Sequence, residues 1–298
     1  MQFVFQYPEM SGTDGDMLDA GPVADVARCA EDVGFGGFAF TEHPAPGVKW
    51  LTRGGHQTLD PFVALGHVAA VTTTVRLLTY LSVVPYRNPL MLAKAAATVD
   101  ILSDGRFVLG VGTGYLKGEF HAVGSAYDER NRRFDEALDV LPLAWSGEQF
   151  SYVGKDFEAR DVVVRPKPRS EIPIWIGGNS ALTRRRVAER AQGWMPLTAT
   201  PEVLQTTRST LIDIPDGLGR AITEVRQAAA DLGRRIDVVV AYSHPEMADG
   251  GADLAPHRAR LEELAAIGVD WVVVPGFGTT RDDTLGFLER FAATCITG

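Results

Sequence analysis

His43 is the sharpest chemical group in this chain. It ends an apolar run, Gly37–His43, and an imidazole there can donate, accept or take up a proton near neutral pH. Glu42 precedes it, and neighbours in an extended segment point opposite ways, so the two should not converge on one ligand. From position alone His43 could equally cap a loop through backbone hydrogen bonds, and both readings stand. His56, His67, His121, His244 and His257 show no metal-ligand spacing, so neither a metal site nor metallohydrolase chemistry is expected. Gly110–Gly114 and Gly177–Ser180 are two glycine-bearing turns that follow apolar runs. Small residues let backbone N–H groups approach an oxyanion, and a helix N-terminus adds a favourable dipole. With Arg184, Arg185 and Arg186 just inside the following helix, the turns suggest a phosphate site. A solvated helix face is the plainer account of at least two of those arginines.

The elements that must position these groups alternate regularly. Gln2–Tyr7, Gly37–His43, Val75–Val84, Phe107–Gly112, Ile172–Ile176, Gly193–Leu197, Ile236–Ala241 and Asp270–Pro275 read as strands, each followed by a helical pattern. Asp60-Pro61 supplies a cap and a proline at the first helical position. About eight strand–helix units predict a (β/α)8 TIM barrel in one domain, residues 1–298, with insertions near 148–168, read as a small hairpin, and 198–233. A doubly wound open sheet is the rival, weakened because no glycine-rich dinucleotide fingerprint follows the first strand. In a barrel, chemistry belongs at the C-terminal strand ends, which selects His43 and both glycine turns. Residues 44–59, carrying Trp50, Arg53, His56 and Gln57, form a long loop that is a candidate substrate lid.

Composition bounds the partners. A formal net charge of -9 argues against nucleic acid or an anionic membrane, while leaving room for one anionic ligand held locally. No apolar run approaches the ~20 residues of a membrane span. The start lacks the charged region of a signal peptide, so a cytoplasmic protein is expected. Cys29 and Cys295 fall at core-like helical positions and form no disulfide framework.

Together the motifs are recognisable. Gly36–His43, Pro85–Pro89, Leu102–Gly114, Pro173–Asn179 and Gly193–Pro196 resemble, in order, the bacterial luciferase-like flavin and deazaflavin oxidoreductases. The resemblance implies a TIM barrel holding coenzyme F420, or alternatively FMN, at its C-terminal mouth, with His43 near the reactive ring edge. It implies a non-prolyl cis peptide near Leu81-Ser82, and cofactor contacts from Glu42, His43, Leu81, Ser82, Gly112, Thr113 and Gly114. Gly177, Gly178 and Asn179 match the turn that receives the phosphate. The implied reaction is hydride transfer between F420 and a small organic substrate, with His43 and Tyr115 as catalytic donors and Trp50, His56 and Trp194 contacting substrate. The alternatives are an FMN monooxygenase using reduced flavin and O2, and a non-catalytic flavin-binding barrel. A homodimer is also implied. Two departures matter: the F420-dependent sugar-phosphate dehydrogenases carry Glu where Tyr115 stands, and a Trp shortly after the His where Pro44-Ala45-Pro46 stands.

Overall fold

A computed structural model describes residues 1–198, 201–207, 209–249 and 253–296. Eight parallel strands close a barrel: β1 (Gln2–Gln6), β2 (Gly37–Phe40), β3 (Arg76–Thr79), β4 (Phe107–Gly112), β5 (Ile174–Gly177), β6 (Gly193–Met195), β7 (Asp237–Ala241) and β8 (Trp271–Pro275). Each pairs with its sequence neighbours, and β8 returns to β1 with Phe3 opposite Val272 and Phe5 opposite Val274. Closure leaves no unpaired edge. A short extension, Ser82–Val83, pairs with the end of β4 after the chain has turned at Leu81. The non-prolyl cis peptide lies at Tyr80-Leu81, within one residue of its expected place.

Strand alternation decides what fills the barrel. Val4, Ala39, Leu78, Val108, Trp175, Met195, Val239, Trp271 and Val273 form the inner cluster, with Tyr80 and Leu81 packed against it. Their neighbours, among them Phe3, Phe5, Phe38, Phe107, Ile176 and Trp194, belong to the larger layer under the helices. Trp175 and Trp271 pack inside with ring centroids 5.6 Å apart and planes tilted by 54°. Gly193 makes this possible, because a Cβ there would strike the Trp175 indole.

The outer helices are α1 (Val23–Asp32), α2 (Pro61–Val71), α3 (Pro89–Leu102), α4 (Arg130–Ser146), α5 (Ala181–Arg190), α6 (Asp216–Ala230), α7 (Ala255–Ala266) and α8 (Arg281–Phe291). Asp60 caps α2 by accepting from the Phe62 and Val63 N–H groups, both at 3.0 Å. The first insertion is an antiparallel hairpin, Phe150–Val153 with Glu158–Val162. The second is shorter than expected. Leu218, Ala221, Ile222, Val225 and Ala229 are buried along one face of α6, which packs beside α5 as a barrel helix. Within the expected 198–233 insertion, residues 199, 200 and 208 lie outside the described residues. Among the described residues no helix is long and apolar enough to cross a membrane.

Candidate active site

The C-terminal ends of β1, β2, β3 and β4 converge around His43, whose side chain is only 10% exposed. Its Nδ1 lies 3.0 Å from Oε2 of Glu119, a residue 1% exposed on the short helix Lys117–Ala122 that follows β4. The same carboxylate accepts the Tyr86 hydroxyl at 3.1 Å and the Ala45 N–H at 3.2 Å. An acceptor at Nδ1 selects the tautomer that carries its proton there and leaves the Nε2 lone pair free. Among the described residues no hydrogen bond reaches Nε2. The His43 ring is packed by Trp50 at 4.6 Å, by His56 edge-on at 4.9 Å and by Tyr115 edge-on at 6.2 Å between centroids. Burial, reinforced by the Glu119 charge, raises the Tyr86 and Tyr115 hydroxyls above their ordinary range, so both remain proton donors.

A second acid–imidazole pair stands behind the first. The Thr41 hydroxyl donates to Glu9, and His56 Nε2 is 3.0 Å from the other Glu9 oxygen but misaligned, leaving that buried nitrogen without a hydrogen bond. Burial pushes the Glu9 carboxyl up to about 8, against the bonds from Thr41 and Gln6. Burial, then the neighbouring His43, pulls His56 down to about 3. Both groups are therefore neutral near pH 7, with the proton on Glu9. The folded state keeps that proton while the unfolded chain loses it above its ordinary value of 4.5. Stability accordingly falls as pH rises from 4.5 towards 8, by up to about 1.4 kcal/mol per pH unit. Glu9→Gln should abolish this loss: urea midpoints of variant and wild type should diverge between pH 5 and pH 8, the variant gaining. His56 acts in the opposite sense, subtracting stability as pH falls from 6.5 towards 3.

Several expected contacts are placed differently. Glu42 is 4% exposed, and its carboxylate is taken by the Ser82 hydroxyl at 2.9 Å, the Val83 N–H at 2.6 Å and Arg87 Nε at 2.8 Å. It anchors the end of the third strand and turns away from the mouth, as alternation beside His43 requires. Ser82 is buried with its hydroxyl spent on Glu42, so only its backbone can meet a ligand. Asn179 is likewise committed: its amide donates to the carbonyls of Leu197 at 2.9 Å and Thr210 at 2.7 Å and accepts the Leu197 N–H at 2.8 Å. Trp194 is fully buried under the helices, its indole N–H donating to the Gly178 carbonyl at 2.9 Å, so it cannot contact a substrate in the mouth. Of the three arginines, Arg184 and Arg185 pair with Glu224 and Glu189 on helix surfaces. Arg186 is buried against Asp135 and Asn131. None faces the glycine turn, and the arginine half of the phosphate expectation falls away.

The glycines have a steric task. A Cβ on Gly112 would come within 2.5 Å of Leu81 Cδ1, and one on Gly177 would strike Leu81 Cδ2. The partly buried Leu81 side chain thus rests across the ends of β4 and β5 as an apolar shelf in the mouth. Gly114 and Gly178 hold φ of 76° and 122°, which only glycine adopts freely, and Thr113 lies between the close-approach and turn positions of the first segment. Ser180 caps α5 by accepting the Thr183 N–H at 3.1 Å, and the other first-turn N–H groups point towards the mouth end of the barrel.

The sequence profile of the luciferase-like monooxygenases matches residues 2–261. The chain belongs to that family. The luciferase-like chain is 29% identical over 226 residues to an F420-dependent glucose-6-phosphate dehydrogenase of Microbacterium testaceum, an alignment covering 74% of this chain and 64% of that enzyme. The chain therefore spans slightly less than two thirds of that relative. Among solved structures, an F420-dependent secondary alcohol dehydrogenase with an F420-acetone adduct superposes with a TM-score of 0.75 at 15% identity, covering 98% and 97% of the two chains. The oxygenating constituent of the 3,6-diketocamphane monooxygenase of Pseudomonas putida, in complex with FMN, gives 0.73 at 16% identity, covering 99% and 97%. These structural likenesses carry the luciferase-like barrel fold. The family is one of oxidoreductases.

Glu119 is the functional group that sequence reasoning missed. The available signal is local: it sits four residues after Tyr115 and beside Phe120 on a short helix that buries both Glu119 and Phe120. Nothing in the spacing connects it to His43, 76 residues earlier.

Proposed function

We propose that the protein transfers a hydride between coenzyme F420 and a small organic substrate at the barrel mouth, with His43 as the proton-exchanging group. The observation that carries this reading is His43 itself, fixed through Nδ1 by a buried carboxylate with Nε2 left for a ligand. The residues fit a flat ring. Leu81 offers an apolar shelf that only glycines at 112 and 177 permit, and Trp50, His56 and Tyr115 wall the His43 ring. Leu81, Gly112, Thr113 and Gly114, with the backbone of Ser82, would hold the ring and its chain. Gly177, Gly178, the Asn179 backbone and the α5 N-terminus would receive the phosphate.

When bound, F420 supplies a ring carbon that accepts or gives a hydride. The protein then has to manage the proton. As a hydroxyl-bearing substrate gives up its C–H hydride, its O–H proton passes to His43 Nε2, and in reverse His43 returns it. Glu119 holds the ring in register and favours the protonated imidazole that forms. The Tyr115 hydroxyl, kept protonated, would bond the substrate oxygen. Trp50 and its loop exclude water from the reacting face.

The FMN monooxygenase reading keeps one observation in its favour: Tyr115 occupies the place of the dehydrogenases' Glu. Separate titrations with F420 and FMN, followed by absorbance and fluorescence, discriminate the two. Saturable F420 binding, at least about tenfold tighter than FMN, is the expected result, a difference of about 1.4 kcal/mol. A preference for FMN transfers the assignment to the monooxygenase.

A further inference from the structure

A second cluster of ligating side chains lies beyond the end of β7. The chain leaves Ala241 through Tyr242 and a 3-10 turn, Pro245–Ala248, before reaching α7. His244 and Glu246 stand exposed on this segment, while His257, in the first turn of α7, is 5% exposed. One ligand atom from each lies within 4.8 Å of the others. His244 Nδ1 is 3.5 Å from Glu246 Oε2, and His257 Nε2 is 4.0 Å from the same oxygen. The His257 Nδ1 is 2.8 Å from the Tyr242 hydroxyl, whereas its Nε2 is buried without any hydrogen-bond partner. Buried ring nitrogens are ordinarily satisfied, and this one is left available to a ligand.

We propose that His244, Glu246 and His257 bind one divalent transition-metal ion, zinc by preference, at a site that shares no side chain with the His43 group. Two imidazoles and one carboxylate form a recognised zinc donor set, with water completing the tetrahedron, whereas calcium and magnesium favour all-oxygen ligands. A proton on Nδ1, donated to the Tyr242 oxygen, leaves the Nε2 lone pair facing Glu246, which is the usual outer support of a metal-bound histidine. Bonds of about 2.0–2.1 Å bring tetrahedral donors to about 3.4 Å apart, so the cluster must contract. The two exposed side chains can rotate inwards to meet the buried one. Metal would displace the weak bond that His244 Nδ1 accepts from the Glu246 N–H at 3.3 Å. Once bound, it would clip the segment after β7 to the start of α7.

The test uses the full chain stripped of metal by chelator, then titrated with Zn2+ calorimetrically and with Co2+ by visible absorption. One equivalent of Zn2+ should bind tighter than about 10 μM, Co2+ should give tetrahedral bands, and Zn2+ should raise Tm. His244→Ala, an exposed change, should weaken binding at least about 100-fold while leaving the metal-free Tm unaltered, and His257→Gln should do the same to binding. A His43→Ala/His56→Ala double variant should bind one equivalent as the wild type does, separating this cluster from the mouth histidines. No binding below about 100 μM, binding that survives His244→Ala, or binding lost in the mouth variant would each overturn the assignment.

Discussion

His43→Ala should lower turnover about 10²–10⁴-fold on a competent substrate, while cofactor affinity changes less than about threefold. The asymmetry follows from where the ring lies. In the proposed arrangement the Leu81 shelf and glycine turns would hold the cofactor, and His43 would add one hydrogen-bonding nitrogen to a face those elements already define. Losing the imidazole removes the proton acceptor and opens a gap among Trp50, His56 and Tyr115 that water can fill. Stopped-flow reduction of bound cofactor, with its affinity measured separately, checks the split. Unaltered turnover would remove His43 from the reaction.

Glu119→Gln should cost turnover by a second large factor, at least about 10², without touching substrate. An amide keeps the shape of the carboxylate but offers both a donor and an acceptor, so it no longer dictates which His43 nitrogen carries the proton. It also withdraws the charge that favours the imidazolium during proton transfer. Nitrogen NMR of labelled histidine should report one Nδ1–H tautomer for His43 in the wild type and a mixture in Glu119→Gln. A merely structural role would reduce stability and leave the tautomer alone. Glu119→Ala is the harsher change, leaving the Tyr86 hydroxyl and Ala45 N–H unpaired in a buried pocket, at about 1–3 kcal/mol for each group.

Much of this architecture can be read from residue order. Apolar strands of three to six residues separated by glycine and proline force the alternation, and eight strand–helix units leave little besides a closed barrel. His43 stands out for the same reason, as a polar ring at the end of a buried strand. What escapes reading is parity and distance. Trp194 and Met195 are adjacent, and only the strand pairing reveals that Trp194 faces the helices and Met195 the interior. Arg186 shares a run with two solvated arginines, yet helix rotation buries it on Asp135. Gly112 and Gly177 advertise a ligand turn, although the group they make room for is Leu81, brought between them by the third strand. His244 and His257 are separated by α7's approach segment, and their spacing matches no simple motif until the turn folds back.

The short antiparallel ribbon over the mouth, in which Ser11 faces His56 and Met10 faces Gln57, joins the loop after β1 to the loop after β2. While that pairing holds, the two loops move together. Because His56 rides on that ribbon and packs over Glu9, lifting it would wet the Glu9 carboxyl and release the proton that burial keeps there. Opening the mouth on this side therefore means moving two loops and an imidazole as one piece.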